Sequence, residues 1–380
     1  MAPRTEVLSS LEALEPHRAG WDELVVANRR PYSAPAWTLS WWRHAAPEGA
    51  LLRVVVALDD EGVAGVAPFY AERRRGLWTY RPLAGVNTAR IEPLARPGSE
   101  GEAARALAAA LAGADPAPDV IRFEGVPDDS PWPGLLRSEW PRGRPWLHVE
   151  RPIKAPAVTL DAPSFDDWMK SKSSNFRQQM RRSRRALEKA GAVFRMATEP
   201  DELERDVESF KRLHLSRWEW RGGSHAISDG VDRMLVDAGR ELAPEGRFLL
   251  QSIDVDGQTI ASHLYVTAGG ETTFWLGGFD EAYASQRPSL VALVDAVAVS
   301  FERGESRFDL GPGDQPYKYR LADAEERLIW GTLVLPGARY ALRRALFLPQ
   351  QARWAISHRL SDEQRERLKK LGRRALRREG

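Results

Sequence analysis

The sequence predicts an α/β (α+β) chain made of two copies of one unit, each a mixed, largely antiparallel sheet flanked by helices. Three observations predict it. Leu51–Tyr70 and Phe248–Thr267 each read as a strand, a tight acidic-glycine turn and a returning strand. Gly101–Ala114 and Pro288–Phe301 read as the helices that follow. The strand end Arg122-Phe123-Glu124 matches Arg307-Phe308-Asp309 at a similar offset. An antiparallel meander followed by a βα crossover, met twice in the same order, is the mark of a duplicated unit.

At 380 residues the chain exceeds one compact core. A proline-rich change of composition near Glu150 to Ala157 divides it into a first lobe, 1–153, and a second, 154–336. A basic helical extension, 337–380, follows. From Arg339 onward it holds thirteen Lys or Arg against four Asp or Glu. Hydrophobic residues at 43% and charged residues at 28% suit a globular protein and exclude a disordered one. Basic and acidic residues nearly balance, 55 to 53, so charge matters here by its distribution. Cysteine is absent, which excludes disulfides, thiol catalysis and thiolate metal sites. The segment Met1–Glu6 has no apolar run of the signal-peptide kind, and no stretch of about 18 apolar residues occurs. The expectation is a cytoplasmic protein without an integral membrane segment.

In the first lobe, Val7–Asn28 reads as a short strand and a helix, with Leu11, Leu14, Trp21, Leu24 and Val25 at helical spacing. Ala36–His44 is an aromatic helix whose Trp37, Trp41 and Trp42 are more plausible as core than as a ligand platform. Leu51–Leu58 and Val63–Tyr70 form a hairpin about Asp59-Asp60-Glu61-Gly62. Gly101–Ala114 is an alanine- and leucine-rich helix, Asp119–Gly125 a strand, and Pro127–Pro145 a loop-rich stretch.

In the second lobe, Ala157–Leu160 is a strand. Ser164 caps a helix that runs, with a break near Ser173-Ser174-Asn175, to about Ala190. Its later part carries Arg177, Arg181, Arg182, Arg184, Arg185 and Lys189, a face for polyanions or simply for water. Asp201–Arg221 and Val231–Leu242 are further helices. Asp256-Gly257 suits a hairpin turn that needs positive φ. Glu271–Gly278 is a strand, and Pro288 opens a helix with a Leu290, Leu293, Val294, Val297, Phe301 stripe.

After that helix, Arg307–Arg320 breaks at two glycines and two prolines and gathers Asp309, Asp314, Tyr317 and Lys318 within a few residues. A packed core has little use for such charges together. Loops on a rigid scaffold are where binding and catalytic residues sit. The bland alternative is a solvated connector. The first copy lacks this polar equipment, which points to the second copy as the seat of chemistry.

His214-x-x-Arg217-Trp218-x-x-Arg221-Gly222-Gly223, Gly278-Phe279-Asp280-x-x-Tyr283 and Phe308-Asp309-Leu310-Gly311-x-Gly313-x-x-x-Tyr317-Lys318 resemble the GNAT acyltransferase superfamily. The branch they resemble holds the CelD/BioF-like acetyltransferase-domain proteins and the Fem-type aminoacyl transferases. Trp41-Trp42 and Gly65–Tyr70 fit the same branch, and the likeness spans roughly Leu11 to Leu335. It implies a duplicated GNAT-like fold of two lobes, the first degenerate. It further implies an N-acyltransferase that moves an acyl group from acyl-CoA, acetyl-CoA among them, or from aminoacyl-tRNA, to an amine. The acceptor it suggests is a small molecule, an amino sugar or a glycan precursor of the cell envelope. A non-catalytic binding module is the other alternative. No metal is implied.

In this superfamily the pyrophosphate lies on a glycine-rich turn before a helix. Here that turn is Gln286-Arg287-Pro288-Ser289, without glycine, so Gln286, Arg287 and Ser289 are the expected cofactor-binding residues. Aminolysis of a thioester needs a neutral amine, donors for the oxyanion and a proton for the thiolate. Asp309 is the candidate for holding or deprotonating the acceptor amine, with an ion pair to Lys318 or Arg320 as its bland alternative. Lys318 is the candidate for stabilising negative charge, Tyr317 for protonating the leaving group, and His214 for an alternative base. Arg217, Trp218 and Trp275 are expected to line the acceptor site. The mixed arginines and leucines from Tyr340 onward suit packing on the first lobe or contact with an anionic membrane.

Overall fold

The computed structural model describes residues 3–150, 152–197, 199–218, 226–338 and 340–347. Its strands are β1 (Arg4–Leu8), β2 (Leu51–Asp59), β3 (Gly62–Arg74), β4 (Leu77–Pro82), β5 (Leu94–Ala95), β6 (Val120–Pro127) and β7 (Trp146–Val149). They continue as β8 (Ile153–Thr159), β9 (Val193–Ala197), β10 (Phe248–Val255), β11 (Gln258–Ala268), β12 (Glu271–Phe279), β13 (Arg307–Asp309) and β14 (Ala324–Val334). All belong to one sheet whose main path runs β1-β2-β3-β4-β6-β14-β8-β13-β12-β11-β10-β9.

That path reads as the same unit from either end. β1-β2-β3-β4-β6 matches β9-β10-β11-β12-β13, each with a single parallel pair, β4–β6 and β12–β13. The strand completing each half comes from the other end of the chain order. β14, which ends the second half, pairs with β6; β8, which follows the first half, pairs with β13. β14 and β8 then pair with each other across the middle. The structure is therefore a duplicated mixed α/β fold with exchanged closing strands.

Strand alternation decides the packing. Val54 and Val56 face one core while Val55 and Ala57 face another, so both faces of β2 are dry. On one face, helices Arg18–Asn28, Pro35–Ala45, Pro200–Trp218 and Val231–Leu242 share a core that spans both halves. Trp21, Trp37 and Trp41 are fully buried there, as expected of core aromatics. On the other face, helix Glu100–Gly113 covers the first half, and helices Phe165–Ser171, Ser174–Lys189 and Pro288–Glu302 cover the second. The break before Ser174 is real: Ser173 Oγ accepts the Phe176 N–H at 3.2 Å. Asp256 and Gly257 take φ of +50° and +75°, the hairpin geometry their sequence asks for.

One feature differs from the sequence reading. The proline-rich stretch contains a helix, Trp132–Ser138, and is followed by β7, because Trp132 and Leu136 have a core to fill. Of the expected helical extension, Tyr340–Ala345 is a helix, and residues 348–380 lie outside the described residues. Among the described residues no helix is long and apolar enough to cross a membrane.

Candidate active site

β12 and β13 run parallel for three residues, Glu271–Thr273 against Arg307–Asp309, and then part. β13 ends at Asp309, and Gly311 turns away with φ of +75°. Phe274–Phe279 keeps β11 on one edge and, among the described residues, has no strand on the other.

The residues of the Arg307–Arg320 stretch divide between the inside and the rim of this opening. Asp309 is fully buried. Its Oδ1 accepts the Gly311 N–H at 2.8 Å, and its other oxygen is ion-paired with Arg90. Asp309 is thus in an ion pair, as its bland alternative had it, but with Arg90 rather than Lys318 or Arg320: a charge buried this deeply needs a cation that is also buried, and Arg90 arrives from the first half to supply it. Arg90 is itself 4% exposed, holds Glu326 at 2.5 Å, and has φ of +70°. Glu271, next to the pair, has its pKa raised, mainly by burial.

Lys318 is buried, and its ammonium donates to the carbonyls of Gly311 at 2.9 Å and Pro312 at 2.8 Å. Burial pushes its pKa down to about 8, with Asp309 and Asp314 opposing the shift. Tyr317 is half-buried against the core beside it. Arg320 reaches helix Ser174–Lys189, donating to Gln179 Oε1 at 2.5 Å and lying over the Phe176 ring. That helix joins the stretch to the expected cofactor turn.

The turn forms the far wall of a groove of about 410 Å³. Ser285, Gln286 and Arg287 face Asn175, Gln178, Gln179 and Arg182 across it. Arg287 caps helix Pro288–Glu302 in the left-handed region, φ +54°. Its carbonyl takes the N–H groups of both Leu290 and Val291 at 3.1 Å. Pro288 has no N–H, so the helix start itself has little to give an anion. Binding capacity here comes from side chains: two guanidiniums and four carboxamides.

Ser289 sits below that turn in a hydrogen-bonded chain that sequence reasoning missed. Its hydroxyl is 2.9 Å from His263 Nε2, and His263 Nδ1 is 2.9 Å from the Tyr265 hydroxyl. Tyr265 donates to Gln251 Oε1 at 3.3 Å. With its hydrogen given to Gln251, the Tyr265 oxygen accepts from His263 Nδ1, and Nε2 accepts from Ser289. His263 and Tyr265 are fully buried, and burial raises the tyrosine pKa well above its usual value. The available signal was the alternation of β11: His263 and Tyr265 share a face with Phe274, under the helix that Pro288 opens.

His214 is buried on the opposite face of β12, with Nδ1 3.3 Å from the Gly277 carbonyl and its ring stacked on Phe210. Trp275 is buried between the halves rather than lining a groove. It donates to the Asn87 carbonyl at 3.2 Å and meets Trp37 edge-on at 5.4 Å. The side chains of Arg217 and Trp218, and all of Arg221 to Gly223, lie outside the described residues. Among the described residues no group of three or more side chains is arranged to hold a metal ion.

Residues 174–319, which contain the groove, the opening and Lys318, match the family model described as "Acetyltransferase (GNAT) domain". The whole fold is similar to the crystal structure of FemX, at TM-score 0.60 and 12% identity over 90% of this chain and 99% of that one. It is likewise similar to a conserved protein of unknown function from Bacteroides thetaiotaomicron VPI-5482, at TM-score 0.52 and 11% identity, covering 87% and 100%. No curated protein sequence matches the chain. The class is thus a GNAT acyltransferase fold in duplicate. Residues 174–319 match the GNAT domain model, and the fold of the chain is similar to that of FemX.

Proposed function

We propose that the chain is an N-acyltransferase that takes an acyl group from an acyl-CoA thioester and passes it to the amine of a small molecule or glycan precursor. One observation carries this reading: a continuous polar surface runs from Arg287 and Arg182 through Gln179 to Arg320, beside Lys318. Guanidiniums suit phosphates. Carboxamides and the open edge of Phe274–Phe279 suit the amides of an extended pantetheine arm, bound as an added strand is. The buried Ser289–His263–Tyr265–Gln251 chain holds the turn that bears Arg287.

Transfer forms a C–N bond and breaks a C–S bond; the amine loses a proton and the thiolate gains one. Lys318, buried and held by the Gly311 and Pro312 carbonyls, positions the turn beside the opening; the proton of the amine leaves to water, and Tyr317 supplies one to the thiolate. Asp309 is too deeply buried to meet the acceptor and acts through Arg90 as a positioning charge. His214 positions the Gly277 strand.

Calorimetric titration with acetyl-CoA and longer acyl-CoAs tests the proposal. Saturable binding near one per chain is expected, lost in Arg182→Glu/Arg287→Glu. A second reading, an aminoacyl-tRNA-dependent transferase, is favoured by the exposed Arg181, Arg185 and Lys189 on the same helix. Retention of aminoacyl-tRNA without acyl-CoA binding would replace the first reading by the second. Failure of both ligands would leave a non-catalytic module.

A further inference from the structure

We propose, resting on the thioester reading above, that the exposed face of helix Ser174–Lys189 docks a small acidic carrier protein, which presents its acyl group to the groove on a phosphopantetheine arm. Gln178 and Arg182 line the groove. At helical spacing beyond them, on the same stripe, come Arg185 and Lys189, with Arg181 beside. Arg181, Arg182, Arg185 and Lys189 are exposed, and among the described residues none of them has an acidic partner. The acid on this face is already taken: Glu188 is held by Arg184 at 3.0 Å, and Arg184 also pairs with Asp295. The opposite face of the helix is fixed to the fold by Phe176, Met180, Ser183 and Leu187, all buried. The cations therefore stand on a rigid surface that leads out of the groove.

Their spacing separates a protein partner from a small ligand. The groove itself offers two guanidiniums, Arg182 and Arg287. The helix start adds little, since Pro288 has no N–H and the Leu290 and Val291 N–H groups both go to the Arg287 carbonyl. That set matches the one phosphodiester of a pantetheine arm, which a carrier protein and coenzyme A have in common. The groove carboxamides suit the amides of that arm whichever molecule bears it. Lys189 lies about 10 Å along the helix from Arg182, at roughly 1.5 Å per residue, too far to share a phosphate with it. Positive charge drawn out in a line over that length suits an acidic protein surface, which it would steer and hold in register. RNA would also use the cations, but its unpaired bases gain from aromatic rings to stack on, and the exposed residues of this helix include none. The transfer keeps its balance: a C–N bond forms, the C–S bond to the arm breaks, the amine loses a proton, and the thiolate that leaves with the carrier gains one.

The test is fluorescence anisotropy of the full chain with an acidic fatty-acid acyl carrier protein, prepared without its arm, with the free arm and with the arm acetylated, at low and moderate salt. Calorimetric titration with acetyl-CoA runs beside it. Binding of the acetylated carrier, tighter than that of the armless form and weakened by salt, is expected. Arg181→Glu/Arg185→Glu/Lys189→Glu should weaken carrier binding about tenfold or more and leave acetyl-CoA affinity within about twofold. These three side chains are exposed, so an unchanged thermal melt shows that the variant is folded. Acetyl-CoA binding without carrier binding overturns the docking proposal and leaves the thioester reading standing. Carrier binding that the triple variant does not weaken overturns it too. Failure of both donors removes the thioester reading and the docking proposal together. Retention of tRNA, lost in the triple variant and without carrier binding, would instead make this face an RNA surface.

Discussion

Arg90 and Asp309 meet from opposite halves of the chain, and the consequences of that meeting are testable at single residues. Asp309 is fully buried, and Arg90 also serves Glu326. Arg90→Ala would strand these carboxylates and should destabilise the protein by about 3–5 kcal/mol in urea unfolding. A Leu at both 90 and 309 should recover part of that loss. Lys318 carries a strain of the other sign. Its folded pKa of about 8 lies below the value of an unfolded lysine, so its charged form is disfavoured by folding. That cost is fully present below pH 8 and is relieved as pH rises from about 8 towards 10.4. Lys318→Met should therefore flatten the rise in stability above pH 8; at pH 7 the relieved desolvation is offset by the Gly311 and Pro312 carbonyls left without their donor. Equal slopes of stability against pH for wild type and variant above pH 8 would contradict the shift. Asp309 and Lys318 were legible in the sequence as charges that a core does not need. Arg90 was not, because nothing in its neighbourhood signals that a first-half loop crosses to the second half.

At the scale of elements, β12 is the member that accepts no additional atoms. A Cβ on Gly277 would come within 2.2 Å of the His263 ring, and one on Gly278 within 2.4 Å of the Leu213 backbone. Helix Pro200–Trp218 thus presses on one face of β12 and the His263 side chain of β11 covers the other, at adjacent residues. Gly278→Ala must displace helix Pro200–Trp218 and should cost about 2–3 kcal/mol. Gly277→Ala must move His263, and with it the hold on Ser289; it should weaken acyl-CoA binding as well as lower the melting temperature. If acyl-CoA affinity were unchanged in a folded Gly277→Ala protein, the His263 chain would have no part in shaping the turn. The sequence marked Gly278 in a motif and placed the helices and hairpins well, since period and turn chemistry are local. It missed helix Trp132–Ser138 and β7, whose apolar residues are spaced among prolines and declare themselves only when a core is there to receive them.

At the scale of the whole molecule, the exchanged strands decide what can fold by itself. The duplication was visible as a repeated order of elements, but strand pairing over long separations leaves no local trace. β14 joins β6 through seven matched residues, Leu328 to Val334, and β8 joins β13 and β14. A cut between the expected lobes, after residue 153, would leave the first piece without β14 and the second with β14 lacking its main partner. The shared core of helices on one face would be split as well. Exposed strand edges and apolar faces of that kind drive aggregation. Residues 1–153 and 154–380 expressed separately should therefore be insoluble or unfolded, and the same pieces co-expressed should co-elute as one folded complex. The intact chain should unfold in a single thermal transition. Two soluble pieces with independent melts would mean that the halves are autonomous and that the exchange contributes little to holding them together. Co-elution would show instead that the first half is required to build the opening in the second, as its delivery of Arg90 to Asp309 already requires on geometric grounds.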